Sequence, residues 1–347
     1  MLAPLTNLQS HADGRLSDDE FRWLTLRARG GFGLTMTCAA HVQRQGQGFP
    51  GQLGVFADTH LEGLTRLAAA IKAAGSLALV QLHHAGMRAP TGLIGGTPVC
   101  PSDNAETGAR ALTLAEVAQL TADFIAAAIR AERAGFDGVE IHGAHGYVIS
   151  QFLSPEINQR TDEFGGSLEN RARLLSDIVA GVRARCRPDF VVGVRLSPER
   201  FGLRLAEIRA VAQQLMASGA IDLLDLSLWD VGKEPEEAGF KGRSLLSYFT
   251  ELDRGSVRLG AAGKITSAEG ARRVLAAGAD IAIIGRAAIL HHDFPLRVQA
   301  DPGFAAVSLP VSAEHLRQEG LGPAFIDYMA TWKGFVQPAQ SIEQARQ

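Results

Sequence analysis

The densest polar cluster in the chain is IHGAHGYVISQFLSPEINQRTDEFGGSLENR, where His142 and His145 lie three residues apart and Tyr147 follows two later. Two imidazoles so spaced can both donate to one ligand oxygen while the phenol delivers a proton. The same residues also read as local partners for strand-end carbonyls, or as an HxxH metal pair. No metal site is assigned, because the HExxH pattern is absent and no carboxylate stands at a recognised ligand spacing. A second cluster, VQLHHAGMR, sets Gln81, His83 and His84 together, and the Gln81 amide offers the donor and acceptor that a heterocyclic imide edge requires. Arg195 ends the apolar run VVGVRL, where a cation needs either an internal ion pair or a ligand. Two glycine turns, AAGKITS with Gly263 and Lys264 and IIGRAA with Gly285 and Arg286, present backbone N–H groups and charge suited to a phosphate. The plain alternative for both is a simple βα turn with a solvated cation.

These residues need elements to hold them. Short apolar runs alternate with segments of helical periodicity, and the candidate strands are Leu2–Thr6, Gly33–Thr37, Leu77–Leu82, Gly138–His142, Val191–Leu196, Leu223–Ser227, Val257–Ala261 and Ile281–Gly285. Leu61, Leu64, Leu67, Ala68 and Ile71 recur at helical spacing, and Gly75 supplies a stop. Thr113 with Glu116 three residues later predicts a capped helix running to Gly135. Continuous apolar strands separated by helices point to a parallel sheet, and eight βα units without a linker favour a (β/α)8 barrel, a single domain, over an open doubly wound sheet. The barrel is expected over residues 1–300, with 301–347 as a C-terminal extension packed on the barrel or on a neighbouring subunit. In that extension Phe325, Tyr328, Met329 and Trp332 predict one helix within 314–336. The long loops 85–110 and 142–170 leave the C-terminal ends of strands, where barrel active sites sit.

Composition narrows the function. The chain has 347 residues with 46% hydrophobic and 20% charged, a globular balance. Glycine is high, 38 residues, or about 11% against a usual ~7%. A net charge of -3 and the lack of a basic block argue against nucleic acid as a partner. Three widely spaced cysteines, Cys38, Cys100 and Cys186, argue against a disulfide framework and fit a reducing, cytoplasmic setting. No apolar run reaches membrane-spanning length and the opening residues lack a signal-peptide pattern, so neither membrane nor secretion is expected.

Taken together, HGAHGY, the following QFLSPEINQRTDEFGGSLENR, the opening APLT and the closing GR at 285–286 resemble the Old Yellow Enzyme family, FMN-dependent ene-reductases on a (β/α)8 barrel. The resemblance covers nearly the whole chain. It implies that His142 and His145 hydrogen-bond the oxygen of the substrate's electron-withdrawing group and that Tyr147 protonates the alkene after hydride arrives from the flavin. It implies flavin contacts from Ala3, Pro4, Leu5, Thr6, Ala39, Gln81, His142 and Arg195, and a phosphate site at Gly263, Lys264, Gly285 and Arg286. It implies NADPH or NADH as hydride donor, a small activated alkene as substrate, and a homo-oligomer, a dimer first. Three departures stand out. Only two residues precede APLT, so the barrel bottom is expected to be less covered or sealed by another subunit; Leu8 takes the place of an aromatic pocket residue; and Trp229 is larger than the usual residue and is expected at the substrate pocket. Trp332 is a further pocket or interface expectation. Against this stand a flavin-free barrel enzyme acting on a phosphorylated substrate, with the two histidines as acid and base, and a non-catalytic flavin-binding protein.

Overall fold

The computed structural model describes residues 1–338; residues 339–347 of the expected extension lie outside the described residues. Seven parallel strands form one sheet in chain order: β1 Leu34–His41, β2 Leu77–His83, β3 Gly138–Gly143, β4 Val191–Leu196, β5 Leu223–Ser227, β6 Arg258–Ala262 and β7 Ile281–Ile283. The expected strand Leu2–Thr6 is reduced to a bridge. Leu2 pairs with both Thr35 and Ile284, its N–H donating to Leu34 O at 2.8 Å, while Ala3 N–H donates to Ile284 O at 3.0 Å. The two sheet edges therefore meet on residues 1–3. Pro4, which has no N–H to give, ends the pairing there.

The connecting helices form where their caps predict. Thr113 Oγ1 accepts from Glu116 N at 3.2 Å and Glu116 Oε2 accepts from Thr113 N at 2.8 Å, a reciprocal box that starts Leu114–Arg133. Helix Leu61–Ala73 ends before Gly75, whose φ of 81° turns the chain back towards β2. The single helix expected within 314–336 is instead two, Ala313–Gln318 and Pro323–Ala330, separated by Gly320 at φ 83° and by Pro323, which starts the second. Phe325 packs edge-on against Trp23 at 4.9 Å, seating this segment against the first helix, Asp18–Arg29. The long loops also carry structure: Val99–Cys100 pairs with Arg110–Ala111, and Val148–Leu153 is a short helix. No described helix is long and apolar enough to cross a membrane.

The strands that read as apolar runs have two different faces. Val80, Leu82, Val139, Ile141, Val192, Val194, Leu224 and Leu226 belong to the main apolar core. The alternate positions, Gln81, His83, Glu140, His142, Arg195 and Asp225, are polar and equally buried. Period-two geometry puts the two sets on opposite faces of the sheet. A polar interior of this kind must find its own partners.

Candidate active site

Parallel register aligns the interior residues in rows. Ala39 stands beside Gln81 and Gln81 beside Glu140; one residue pair further along, His142 stands beside Arg195 and Arg195 beside Asp225. Gln81 Nε2 donates to Glu140 Oε1 at 2.7 Å, and Arg195 Nε lies 3.1 Å from Asp225 Oδ2. Burial raises both carboxylates, Glu140 well above its ordinary value and Asp225 less so, and Arg195 pulls both back down. The buried Arg195 guanidinium needs one counter-charge. Asp225, in direct contact with it, carries that charge, and Glu140, repelled by Asp225, holds the proton.

Above this layer the histidines and the tyrosine converge. The His142 ring lies 5.0 Å from His145 and 5.1 Å from Tyr147, and His83 meets Tyr147 edge-on at 4.2 Å. His142 Nδ1 accepts from Ala144 N at 3.3 Å, which leaves Nε2 as the N–H of the neutral ring. His83 Nδ1 lies 3.0 Å from Gln52 Nε2, a donor, so its Nε2 also carries the hydrogen. His145 Nε2 lies 2.7 Å from Ser227 Oγ, and the His145 backbone N–H donates to Ser197 Oγ at 3.0 Å. These contacts hold His145 at φ 61°, a left-handed conformation unusual for a side chain of this size. Burial keeps His142 well below its ordinary range and brings His145 down to about 3, so both rings are neutral donors at physiological pH. Burial raises the Tyr147 phenol, which keeps its proton available.

Two compartments adjoin this cluster and share His145, Ser227 and Trp229 in their walls. The first, about 280 Å³, is bounded by Ala3, Pro4 and Leu5, the Gly263–Lys264 and Gly285–Arg286 turns, Arg195 and Trp332. Its walls hold three cations, Arg195, Lys264 and Arg286, and no carboxylate. The donor set and the apolar walls fit a flat heterocycle carrying a phosphate, the chemistry of FMN. Gly263 leaves no room for a side chain, since a Cβ there would sit 2.7 Å from the Asp230 nitrogen. Lys264 is already shared, with Nζ 3.0 Å from Asp230 Oδ2. The second compartment, about 420 Å³, is lined by Tyr147, Arg88, Arg200, Phe201, Glu199 and Lys233, among others.

The structure thus brings together His142, His145, Tyr147 and Arg195, and separately Gly263, Lys264, Gly285 and Arg286. Thr6, Ala39, Gln81 and His142 lie outside both walls, and Gln81 turns its amide to Glu140. Leu8 lines neither compartment, whereas Trp229 and Trp332 both line the first. Sequence reasoning missed Glu140, Asp225, Ser227, Gln52 and Arg88. The first three had a signal, a polar residue at every second place in an apolar strand; Gln52 and Arg88 had none, since each meets its partners only through the fold.

A parallel βα barrel with a cationic heterocycle-sized cleft and neutral donors beside a protonated phenol defines a flavin-type oxidoreductase site. The chain belongs to the NADH:flavin oxidoreductase / NADH oxidase family, whose model matches residues 1–302, that is, to the Old Yellow Enzyme family, whose members bind FMN and draw electrons from NAD(P)H. It is 36% identical over 309 residues to the "Probable NADH-dependent flavin oxidoreductase YqiG" of Bacillus subtilis, covering 86% of this chain and 82% of the relative. It is 35% identical over 325 residues to an NADPH dehydrogenase of Bacillus pumilus, covering 92% and 93%. Among solved structures, the old yellow enzyme homologue from Zymomonas mobilis superimposes with a TM-score of 0.77 at 29% identity, covering 94% of each chain. The protein is an NAD(P)H-dependent flavin oxidoreductase.

Proposed function

We propose that the protein is an ene-reductase that uses NAD(P)H to reduce the C=C bond of α,β-unsaturated carbonyl or nitro compounds. The observation that carries this is the convergence of two neutral imidazoles and a protonated phenol, with the His142 ring 5.0 Å from His145 and 5.1 Å from Tyr147 and the latter two 6.3 Å apart. Arg195 at the barrel mouth, with the Lys264 and Arg286 turns, would hold FMN, with Ala3, Pro4, Leu5, Thr6, Ala39 and Gln81 beside or beneath its ring. Bound FMN supplies the hydride. His142 and His145 donate to the oxygen of the substrate's activating group, where negative charge grows during hydride transfer. Their neutrality suits the task, because a donor that carries no charge beforehand need not be desolvated as an ion. Tyr147 gives its proton to the carbon next to that group. Trp229 and Trp332 narrow the approach to the first compartment.

In this reading residues 1–300 form the barrel and 301–347 the extension, and the molecule works as a homo-oligomer, a dimer first. The three cysteines are buried and unpaired, in keeping with a reducing cytoplasm. The test is anaerobic stopped-flow of the FMN-loaded protein. Tyr147→Phe is expected to slow reoxidation by cyclohexenone by at least about 100-fold more than it slows flavin reduction by NAD(P)H. Equal loss in the two half-reactions would refute the assigned role.

A further inference from the structure

The second compartment carries a charge that the reading above does not use. Arg88 lies in the turn Gly86–Arg88 that follows β2. It donates to the carbonyl of His145, and its guanidinium carbon stands 4.9 Å from the centre of the Tyr147 ring. The turn is fastened in place by Gln151, whose Oε1 accepts from Met87 N at 3.1 Å and whose Nε2 donates to Ala85 O at 3.2 Å and Gly146 O at 2.8 Å. One buried amide thus joins the loop that carries Arg88 to the loop that carries Tyr147.

The other charges on these walls are committed. Lys233 Nζ lies 2.5 Å from Glu199 and 3.2 Å from Glu236, and Arg200 lies 4.0 Å from Glu236. Arg88 has no carboxylate within ion-pair distance among the described residues. The wall therefore holds three cations, Arg88, Arg200 and Lys233, against one carboxylate, Glu199. The uncompensated charge is the one next to the proton donor. One arm of its guanidinium is fixed by the His145 carbonyl, and its remaining N–H groups have the fork geometry that matches a planar carboxylate.

Resting on the ene-reductase reading, we propose that the preferred acceptor is an alkene bearing a carboxylate in addition to its activating carbonyl group, with Arg88 as the counter-ion that selects it. A carboxylate attached to the alkene is only a bond or two from the carbon that Tyr147 protonates, so it falls within reach of a guanidinium held over the same ring. In the reaction the C=C π bond is replaced by two C–H bonds. The hydride, which carries both electrons, comes from NAD(P)H by way of the bound cofactor, the proton comes from Tyr147 and is restored from solvent, and the carboxylate passes through unchanged. NAD(P)H also carries an anion, its diphosphate, and the test separates the two.

The experiment compares kcat/KM for monomethyl fumarate and dimethyl fumarate in the FMN-loaded wild type, Arg88→Gln and Arg88→Lys. The ratio of monoanion to diester is expected to fall about tenfold or more in Arg88→Gln and to be partly kept in Arg88→Lys. In parallel, monomethyl succinate, which cannot be reduced, is titrated into the holoenzyme by calorimetry, and its Kd should rise by about the same factor in Arg88→Gln. An unchanged ratio and an unchanged Kd would overturn the proposal. So would an equal loss in the rate of flavin reduction by NAD(P)H, which would assign Arg88 to the dinucleotide. Failure of the wild type to reduce either ester or cyclohexenone would instead overturn the ene-reductase reading.

Discussion

Replacing Asp225 by Asn tests whether the barrel interior holds a true ion pair. Arg195 and Asp225 are 3.1 Å apart with side chains 6% and 0% exposed, so the substitution leaves a guanidinium in the interior without its contact carboxylate. Removing one partner of a buried pair costs about 3–5 kcal/mol. Glu140 sits close enough to feel both groups and can give up its proton to replace the lost charge. That compensation puts the expected loss at the low end, about 3 kcal/mol. At roughly 2 °C per kcal/mol for a chain of this size, the melting temperature should fall by about 6 °C. Thermal melts followed by circular dichroism on flavin-stripped and FMN-loaded protein measure it. If Arg195 also contacts the cofactor, the loaded variant should recover part of the loss, since the bound flavin would supply acceptors for the freed N–H groups. A change below about 1 kcal/mol in the stripped protein would mean that Asp225 is neutral there and that Arg195 is satisfied in another way.

Glu140→Gln probes the other carboxylate through pH. A carboxyl whose folded value is raised contributes stability that is fully present below its ordinary 4.5 and lost as pH climbs from there towards the raised value. Urea midpoints of the wild type should therefore decline across that window, while the variant, which keeps an oxygen for the Gln81 amide and has no proton to lose, should show a flatter profile; parallel profiles would contradict the assignment. Lys264→Ala should weaken FMN binding only about three- to tenfold, because the ammonium is half exposed and already shared with Asp230, and an unchanged Kd by fluorescence titration would return Lys264 to a solvated turn. Gly263→Ala should lose far more FMN affinity, since its methyl group meets the backbone of Trp229 and Asp230; wild-type affinity would show that the turn yields.

Strands β4 and β5 run over the residues their apolar patterns predict, and the Thr113 box forms as read, because both signals are local. The first strand was harder. Leu2–Thr6 has the composition of a strand, yet only Leu2 bridges its neighbours before Pro4 sends the chain along the cofactor cleft. The periodicity expected over 325–332 holds for Phe325, Tyr328 and Met329, but Trp332 falls beyond the helix end at Ala330, and the spacing could not show the break at Gly320. At the site, the spacing of His142, His145 and Tyr147 is enough to predict that the three converge, since a strand end followed by a tight turn holds all three. What stayed hidden is what tertiary packing decides: that Gln81 faces Glu140, that Ser227 holds His145, and that Gln151 ties two loops into one.

The seam at residues 1–3 has a bearing on how the molecule is made. Leu2 joins β1 at Thr35 and the end of β7 at Ile284, so the two sides of the closure come from opposite ends of the sheet's sequence. A growing chain can pair β1 through β6 as each is synthesised, but it keeps an open flank until the segment at 281–284 has emerged. Such a flank offers unpaired N–H and C=O groups to any neighbouring strand. Synthesis slowed before that point should lengthen the time in which nascent chains can associate wrongly, and truncations ending before β7 should be found mainly in aggregates.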